Sequence, residues 1–459
     1  MVPRPPDGPD GRQREQRMTE ADQLAQEIRG LVRRYFQAAA PPPFVPRQTR
    51  IPLNAPSYGW EEVWEAIDSM LSTQVTMGAK VKRFEAAFAE YLGVKHAVMV
   101  NSGSSANLLA LSVLANPLAP RPLLPGDEVI TPAVTWVTTV YPIINVGAVP
   151  VLVDVDLDTF NIDIAEIERA LSPRTRVIMP VHLLGNPCDM QAILDIARRR
   201  DLLVIEDCCE AHGAAIGGRR VGSFGDLATF SFFFTHHVAT VEGGMLVTND
   251  DALGELARAL RAFGWVRDLR DREELARRHA DIDPRFLFVN TGYNFKPTEL
   301  QAAFGIHQMP RLDGFIAARR ANAEFWSQEI GRFGDLRVQH ERPGTTHAWF
   351  GYPLTVRLDA RFSRAELIAF LESRGLETRP IVAGNVAEQP ALRLFPHRTV
   401  GDLASSRLIH RNSLYFGNHP GVGPAEREAV AEYVREFIEG TGVQDRPSSR
   451  ATTPATPLS

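Results

Sequence analysis

Lysine is scarce in this chain. Its 459 residues include 50 lysines and arginines, but the only lysines are Lys80, Lys82, Lys95 and Lys296. None lies between residues 96 and 295, where the patterns described below predict the main sheet. A reaction that requires a lysine amine as nucleophile therefore finds none in this stretch.

Cysteine is equally scarce, and no apolar run approaches the length of a membrane span. Cys188, Cys208 and Cys209 are the three cysteines, too few for a four-thiolate iron–sulfur cluster within one chain. The segment from Met1 to Gln16 is rich in Pro, Gly and Arg and has no apolar core, so no signal peptide is expected. These features predict a cytoplasmic protein that does not bind membranes.

The chain also lacks a strong charge of either sign. Its formal net charge of -5 is small for this length. Without a strong basic field, nucleic acid is not an expected partner. The length allows a large buried core, and we expect two lobes.

The region from residue 79 to residue 310 alternates short apolar strands with helical patterns. The strands are predicted at His96–Val100, Glu128–Ile130, Val149–Val153, Val177–Val181, Leu202–Ile205 and Ala228–Phe232. The helices between them are predicted at Ser105–Leu114, Ile164–Leu171 and Met190–Arg199. Because this alternation requires crossover connections, it predicts an α/β fold with a mostly parallel sheet that is covered on both faces.

A smaller α+β lobe is predicted for residues 311–440, and residues 50–78 are expected to join it. Its clearest elements are a strand at Tyr352–Val356 and helices at Arg364–Arg374 and Pro424–Glu439.

The two ends of the chain have a different character. Residues 18–48 predict an N-terminal helix, which Thr19 would cap, followed by a Pro-rich linker. The apolar stripe of this helix is expected to pack on the main body. Residues 1–17 and 441–459 are expected to be disordered.

A serine-rich segment follows the first predicted strand. Residues 101–107 read Asn-Ser-Gly-Ser-Ser-Ala-Asn and open a helix. Glycine permits a tight turn, and serine hydroxyls with the first helical N–H groups favour a phosphate. A serine that merely caps a helix gives the same pattern. This segment therefore indicates a phosphate site only in combination with other motifs.

A carboxylate ends another apolar strand. Residues 204–213 read Val-Ile-Glu-Asp-Cys-Cys-Glu-Ala-His-Gly, which places Asp207 at the strand end and Glu210 just beyond it. An aspartate at a strand end is common in α/β folds, so this motif alone leaves function and ordinary structure equally open. Cys208 and Cys209 are expected to be small buried residues rather than ligands.

A third segment carries the strongest signal. Residues 231–244 read Ser-Phe-Phe-Phe-Thr-His-His-Val-Ala-Thr-Val-Glu-Gly-Gly. They resemble the active-site segment of the DegT/DnrJ/EryC1/StrS family, sugar aminotransferases of fold type I that bind pyridoxal 5′-phosphate (PLP). In that family the position of His236 holds the lysine that forms a Schiff base with PLP. Because imidazole carries protons but forms no Schiff base, the resemblance indicates a subgroup that kept the cofactor and changed the reaction.

The resemblance implies a fold and a set of cofactor contacts. The fold is that of a fold type I PLP-dependent transferase, with a mostly parallel seven-stranded sheet in a large domain and a smaller α+β domain. By resemblance, Ser104, Ser105 and Ser231 hold the cofactor phosphate. Asp207 faces the pyridine nitrogen, where an anion makes the ring a better electron sink, and Glu210 lies near the ring hydroxyl.

Further family segments assign three more residues. Trp136 resembles the aromatic residue that stacks on the cofactor ring, although a tryptophan in the core would give the same pattern. Asn294 resembles the residue that reaches the phosphate of the neighbouring subunit, which implies a homodimer with shared active sites. His182 fits either a pocket-shaping residue or a satisfied core histidine.

The later part of the chain narrows the subgroup. Residues 349–352, 378–385 and 417–419 resemble sugar 3-dehydratases without an iron–sulfur cluster, such as those acting on GDP-4-keto-6-deoxymannose. The substrate-binding residues that this resemblance implies are Trp349, Arg379, Asn385 and His419.

The expected reaction is the C3 dehydration of a nucleotide-linked 4-keto-6-deoxyhexose. Glutamate would convert PLP to pyridoxamine 5′-phosphate (PMP), whose amine would condense with the C4 ketone. His236 would remove a proton from the cofactor while the C3 hydroxyl leaves, and an imidazole pKa near neutrality would suit this transfer. His237 is expected to be structural, although a one-residue slip would exchange the two histidines.

Three other functions stay open from the sequence. They are a sugar aminotransferase with histidine as its proton carrier, a dehydratase coupled to a reductase, and a non-catalytic PLP- or sugar-binding protein. No metal is expected. The nucleotide base and the sugar stereochemistry are not readable from the residues.

Overall fold

The computed structural model describes residues 18–39, 42–55 and 57–441. The predictions of disorder for residues 1–17 and for 442–459 concern residues outside these ranges. The helices are α1 (Glu20–Ala38), α2 (Trp60–Leu71), α3 (Ala79–Leu92), α4 (Gly103–Leu114), α5 (Val137–Asn145), α6 (Ile164–Ala170), α7 (Met190–Arg200), α8 (Asp251–Arg261), α9 (Arg272–Arg278), α10 (Glu299–Gln308), α11 (Leu312–Ile330), α12 (Arg364–Ser373), α13 (Ala404–Asn412) and α14 (Pro424–Gly440). The strands are β1 (His96–Val100), β2 (Glu128–Pro132), β3 (Val149–Val153), β4 (Thr175–Ile178), β5 (Leu203–Asp207), β6 (Ala215–Ile216), β7 (Arg219–Arg220), β8 (Leu227–Ser231), β9 (Gly244–Thr248), β10 (Leu336–Val338), β11 (Thr345–Thr346), β12 (Gly351–Val356), β13 (Thr378–Pro380), β14 (Arg398–Thr399) and β15 (Ser413–Gly417).

The main sheet has eight strands in the order β1-β9-β8-β5-β4-β2-β3-β14. Only β9 runs antiparallel to its neighbours. Seven of the strands lie within residues 96–248, which confirms the mostly parallel sheet predicted for the large domain. The sheet has eight strands rather than the predicted seven, because the two-residue β14 from the C-terminal part of the chain pairs with β3.

Both faces of this sheet are buried, because successive side chains of β1 belong to cores on opposite faces. Val98 and Val100 belong to a core with residues of α4, α5 and α8. Ala97 and Met99 belong to a second core on the other face, with residues of α3 and α10. Because consecutive side chains of a strand point to opposite faces, a strand covered on both sides is apolar at every position.

The smaller lobe is built on an antiparallel sheet in the order β10-β12-β15-β13. Its core includes Trp326 of α11, Tyr352 of β12 and Phe416 of β15, together with residues of α12 and α14. The Trp326 indole N–H donates to the Arg427 carbonyl at 2.9 Å, so this large ring is buried with its polar group satisfied. The architecture is the predicted α+β lobe.

Residues 50–78 divide between the lobes. Ile51 forms a β-bridge with Leu376 and belongs to the core of the smaller lobe. Helix α2 instead packs along α10 of the large lobe, where Gln308 Nε2 donates to Glu62 Oε1 at 3.2 Å. The expectation that the whole segment joins the smaller lobe is therefore corrected for α2.

Helix α1 forms as predicted, and its apolar stripe packs on the main body only in part. Thr19 and Asp22 form a capping box at its start. Ile28, Val32 and Phe36 of the stripe are partly buried, whereas Tyr35 is 68% exposed. The helix contacts α2, where the Arg29 guanidinium lies over the Trp60 ring. No helix among residues 18–39, 42–55 and 57–441 is long and apolar enough to span a membrane.

The loops that follow β1, β2, β5 and β8 converge at the carboxyl edge of the main sheet. Three of these loops contain the motif segments near residues 102, 207 and 231, which were singled out in the sequence. Ligands bind at this edge in open α/β sheets, because strand ends and helix starts are exposed there together.

Candidate active site

A cavity of about 590 Å³ opens at this edge of the sheet. Residues of the three motif segments line it, together with residues of the smaller lobe. The lining residues are Leu53, Ser102, Gly103, Ser104, Asn107, Thr135, Trp136, Thr138, Thr139, Val181, Leu183, Asp207, Cys209, Glu210, Ser231, Phe233, Thr235, His236, Glu242, Phe350, Arg379, Pro380, Val382 and Tyr415. None of the four lysines is among them.

The start of α4 forms an anion site at one end of the cavity. Ser104 lies in its first turn, and Ser231 lies opposite at the end of β8. A Cβ atom at Gly103 would lie 2.4 Å from the Ser231 Cβ, so only glycine lets the helix start approach this strand. Free N–H groups at a helix start and two hydroxyls suit a phosphate.

Ser105 takes part in the cap of α4. Its backbone N–H donates to Ser102 Oγ at 3.1 Å. Its own hydroxyl lies 2.9 Å from the same oxygen, and the residue is not among those lining the cavity. The predicted phosphate contacts of Ser104, Ser105 and Ser231 stay predictions.

Asp207 is held by a network of neutral donors. Its Oδ2 accepts from Asn107 Nδ2 at 3.0 Å and from Thr139 Oγ1 at 2.8 Å. Its Oδ1 accepts the Cys209 N–H at 3.1 Å. Thr229 donates in turn to the Asn107 side-chain oxygen, which fixes the amide orientation. All these partners donate to the carboxylate, so they fix its orientation.

Asn107 and Thr139 were missed as functional residues in the sequence. Asn107 stands inside the serine-rich segment, but nothing in the order of residues there indicates that its side chain faces β5. Its role depends on the packing of α4 over the strand ends of β5 and β8, which bring Asp207 and Thr229 beside it.

Glu210 lies at the side of the cavity, close to Asp207. Burial raises the pKa of its carboxyl to about 7. The Leu184 N–H, which donates to its Oε2 at 2.8 Å, opposes this rise, and the charge of Asp207 adds to it. A carboxyl with this pKa is partly protonated near neutrality and can donate a hydrogen bond in its neutral form.

Trp136 lies on the cavity and not in the core. It is 55% exposed and directly precedes α5. A large, exposed aromatic face on this cavity suits a flat heteroaromatic ring.

His236 occupies the cavity position predicted for the proton carrier, and His237 does not. His236 lines the cavity, whereas His237 is buried, with its Nε2 at 2.9 Å from the Ala348 carbonyl oxygen. Burial lowers the pKa of His236 to about 3, and the buried Arg319 guanidinium adds to the shift. The expectation of a pKa near neutrality is therefore corrected, since His236 is in its neutral form throughout the physiological range.

The predicted substrate residues separate into two groups. Arg379 lines the cavity and forms an ion pair with Glu377 at 2.6 Å. Beside it lies Tyr415, which sequence reasoning missed and whose pKa is raised by burial. A guanidinium and a phenol at the open side suit the polar groups of a sugar nucleotide.

Three other predicted substrate residues lie outside the cavity lining. Trp349 is 5% exposed and stacks on His347 with ring centroids 3.9 Å apart. Asn385 caps a short helical turn by accepting the Ala387 N–H. His419 Nε2 donates to the Pro52 carbonyl at 3.2 Å. All three residues are buried in this structure, and their contact with substrate stays a prediction.

His182 is a satisfied core histidine. It is fully buried, its Nε2 lies 3.2 Å from Glu206 Oε2, and its Nδ1 accepts the Cys188 N–H at 2.9 Å. Glu206 and Cys208 lie near enough to His182 to form a metal-binding group. Glu206, however, already accepts the N–H groups of residues 222, 224 and 225.

Asn294 does not line the cavity of this chain. It forms a β-bridge with Ala262, and Lys296 beyond it lies with its Nζ 4.4 Å from the centre of the Phe263 ring. Because the prediction for Asn294 concerns a neighbouring subunit, it stays a prediction.

The fold and the cavity together define a class of protein. A phosphate-type anion site at a helix start, an aspartate fixed at a strand end and an aromatic face between them are the binding features of fold type I PLP enzymes. The profile of the DegT/DnrJ/EryC1/StrS aminotransferase family matches residues 57–435. The chain belongs to this family.

Similar proteins include both dehydratases and an amine-transferring enzyme by name. A GDP-4-keto-6-deoxy-D-mannose 3-dehydratase of Yersinia pseudotuberculosis is 39% identical over 378 residues, which cover 81% of this chain and 95% of that protein. A GDP-perosamine synthase of Caulobacter vibrioides is 37% identical over 384 residues, which cover 83% of this chain and 96% of that protein. A solved GDP-4-keto-6-deoxymannose-3-dehydratase with a trapped PLP–glutamate geminal diamine matches with a TM-score of 0.78 at 36% identity, covering 83% of this chain and 99% of that one.

Proposed function

We propose that this protein is a PLP/PMP-dependent 3-dehydratase of a nucleotide-linked 4-keto-6-deoxyhexose, with glutamate as the amino donor. The observation that carries the proposal is His236, which stands at the lysine position of an otherwise complete cofactor cavity. The similarity to named 3-dehydratases over most of the chain supports the same reaction. The place of this reaction is deoxysugar biosynthesis in the cytoplasm.

The cavity fits the phosphorylated pyridine cofactor at each of its polar groups. Ser104, Ser231 and the first N–H groups of α4 would hold the phosphate. Asp207 would hold the ring nitrogen, and its three donors keep the carboxylate oriented for that contact. Trp136 would cover the ring face. Bound there, the cofactor supplies the amine that joins the C4 carbonyl and an electron sink that allows the C3–oxygen bond to break.

His236 would accept and hold the proton that moves during this step. Its Nδ1 is buried, which leaves Nε2 as the ring nitrogen available to the cavity. The ring is neutral at physiological pH because burial and Arg319 disfavour the imidazolium, so the basic form is always available. An imidazole also forms no covalent bond with the cofactor, which therefore stays free to return to its amine form.

Glu210 and Arg379 would act on the two sides of this reaction centre. Neutral Glu210 can donate a hydrogen bond to the hydroxyl side of the ring, next to Asp207. Arg379 would contact the sugar nucleotide at the open side, with Tyr415 beside it. The subunit arrangement proposed here is a homodimer in which Asn294 reaches the phosphate of the neighbouring site.

Amine transfer is the second candidate, favoured by the 37% identity to a GDP-perosamine synthase. The two reactions differ in what remains on the sugar. Dehydration removes the C3 oxygen and releases ammonia, whereas amine transfer keeps that oxygen and leaves nitrogen at C4.

The test is to incubate the purified protein with PLP, glutamate and a panel of nucleotide-linked 4-keto-6-deoxyhexoses. Mass spectrometry of the products separates the two candidates, since dehydration gives a product that lacks one oxygen atom. Reactions without glutamate provide the control. A product that gains nitrogen and keeps its C3 oxygen would contradict the proposal, and no conversion of any sugar would contradict both candidates.

A further inference from the structure

Helix α1 carries an apolar row that faces away from the main body. Leu24, Leu31 and Tyr35 are 51%, 55% and 68% exposed, and Ile28 between them is partly buried. Their spacings of four, three and four residues are those of a heptad pattern, so the four side chains form one row along the 19-residue helix. We call these four residues the outer row. Such a row is typical of a helix that packs on another helix.

The contact of α1 with α2 leaves the outer row accessible. The Arg29 and Arg33 guanidiniums of α1 lie over the Trp60 ring of α2, 5.5 Å and 5.4 Å from its centre. Because each residue turns a helix by about 100°, the exposed members of the outer row lie on the opposite side of the helix from these arginines. The residues between the two sides are the partly buried ones, which are Ala25, Ile28, Val32 and Phe36. The helix therefore uses one side for α2 and keeps a second apolar side free.

The charges beside the outer row are complementary to those of an antiparallel copy. Glu27 and Arg34 are exposed and lie seven residues apart along the same edge of the row. If a second α1 lies antiparallel with row against row, Leu24 meets Tyr35 of the copy and Ile28 meets Leu31. In this register Glu27 lies beside Arg34 of the copy, once on each side of the two-fold axis. In a parallel pair the apolar Val32 would lie beside Glu27, and no ion pair would form.

The distribution of charge along α1 favours a copy of itself over a lipid surface. The first half of the helix carries only acidic charges, and the second half carries only basic ones. These residues are Glu20, Asp22 and Glu27, followed by Arg29, Arg33 and Arg34. A helix that lies on a membrane has a polar face rich in lysine and arginine. A two-fold contact instead sets each half against the half of opposite charge.

We propose that α1 is a self-association element, which pairs antiparallel with α1 of a second copy of this chain. The outer rows of the two helices would cover each other and supply most of the stability, since exposed ion pairs contribute little. The Glu27–Arg34 pairs would set the direction and the register. The helix lies outside residues 57–435, which the family profile matches, and it contributes no residue to the cavity lining. The pairing is therefore independent of the proposed reaction and of the contact proposed for Asn294.

Disulfide cross-linking of the full chain tests the pairing and its direction. Leu24→Cys and Tyr35→Cys are produced in the same cells with different tags and then mildly oxidised. In the proposed register the two new thiols face each other, whereas two copies of the same variant hold theirs about three turns, or about 16 Å, apart. We expect a disulfide between the two differently tagged chains and none when either variant is oxidised alone. The unchanged protein controls for the three native cysteines.

Charge reversal in these cysteine variants tests the ion pairs. Glu27→Arg should slow cross-linking by about tenfold, because two attractive pairs become repulsive. Arg34→Glu should have the same effect, and the two changes together should restore the rate with the signs exchanged. Gln26→Arg introduces a positive charge on the side of the helix away from the outer row, so it should leave the rate unchanged. Leu31→Glu, which places a charge in the middle of the row, should prevent cross-linking.

The absence of the mixed disulfide overturns the proposal. Efficient cross-linking of Leu24→Cys or Tyr35→Cys alone would also overturn it, since it would show a parallel pair. Equal rates for Glu27→Arg and Gln26→Arg would contradict the register. If the unchanged protein binds vesicles of anionic phospholipid, and Leu31→Glu does not, the absence of a mixed disulfide would assign the outer row to a lipid surface instead.

Discussion

Asn107 Nδ2 donates to Asp207 Oδ2 at 3.0 Å, and so joins helix α4 to the end of strand β5 directly below the cavity. Thr139 of α5 donates to the same oxygen at 2.8 Å. The carboxylate is thereby fixed by two helices. The same helix α4 supplies the anion site, so the two ends of the cofactor cavity are positioned by one rigid element.

This relationship predicts the effect of Asn107→Leu. Leucine fills a similar volume but removes one of the donors to Asp207 and the acceptor of the Thr229 hydroxyl. We expect PLP to bind about 10-fold more weakly, in line with a lost buried hydrogen bond. Titration followed by PLP absorbance measures this, and Asn116→Leu near the far end of α4 serves as the matched control. Equal binding by Asn107→Leu and the control would contradict the assigned role of Asn107.

The His236→Lys variant tests the assignment of His236 to the position at which the family carries its Schiff-base lysine. The variant should gain a covalent attachment to PLP, because a primary amine then faces the cavity, and should lose C3 dehydration. Borohydride reduction followed by peptide mapping should find a pyridoxyl adduct at residue 236 of the variant and none in the unchanged protein. An adduct on Lys296, or on any other native lysine, would contradict this account.

Glu210→Gln should change how stability depends on pH. Burial raises the pKa of Glu210 from 4.5 to about 7, so the folded form binds a proton that the unfolded form has released between these values. This contribution to stability is complete below pH 4.5 and is lost as pH rises through 7. The variant should therefore equal the unchanged protein in unfolding free energy at acidic pH and exceed it by about 2 kcal/mol in mildly alkaline solution.

Chemical denaturation of both proteins across this pH range measures the difference. Glu341→Gln makes the same change at a carboxylate away from the cavity, and it should show no such gain in stability above pH 7. Parallel pH profiles for Glu210→Gln and the unchanged protein would show that Glu210 has the same pKa in the folded and unfolded states, which would contradict the prediction.

The sequence predicted the main elements because their signals are local. Buried strands such as His96–Val100 appear as apolar runs, and their bounds match the structure. Strand β9 was not predicted because it begins at Gly244, the last residue of the Glu-Gly-Gly triplet, and glycine is depleted in strands. The eighth strand, β14, has two residues, too few to give any pattern.

The sequence predicted those residues of the candidate site whose motif also determines where the side chain points. Asp207, Ser231 and His236 lie at strand ends or directly after them, and all three line the cavity. Trp349 begins a segment with a similar resemblance, but its backbone has a positive φ of 47° and its ring stacks on His347 in the core. The low pKa of His236 was not predictable, because it results from tertiary burial and from Arg319.

Subunit mixing tests the predicted homodimer with shared sites. Asn294→Ala should weaken PLP retention in each site, since one donor to the phosphate is lost, and His236→Ala should abolish turnover. If Asn294 serves the neighbouring site, a mixed dimer has one site with both changes and one with neither. Activity should then partly return after subunit exchange. A mixture shown to contain mixed dimers but lacking restored activity would place both residues in the site of the same chain.

The central claim is C3 dehydration without a reductase, and product stoichiometry tests it most directly. The protein, PLP, glutamate and a nucleotide-linked 4-keto-6-deoxyhexose that it converts are incubated without any electron donor, and three products are quantified. The account predicts equal amounts of 2-oxoglutarate, ammonia and a 3-deoxy-4-keto sugar, because each glutamate supplies one amine and one pair of electrons. Formation of 2-oxoglutarate with an aminated sugar and no ammonia would contradict it, as would dehydration that begins only after a reductase is added.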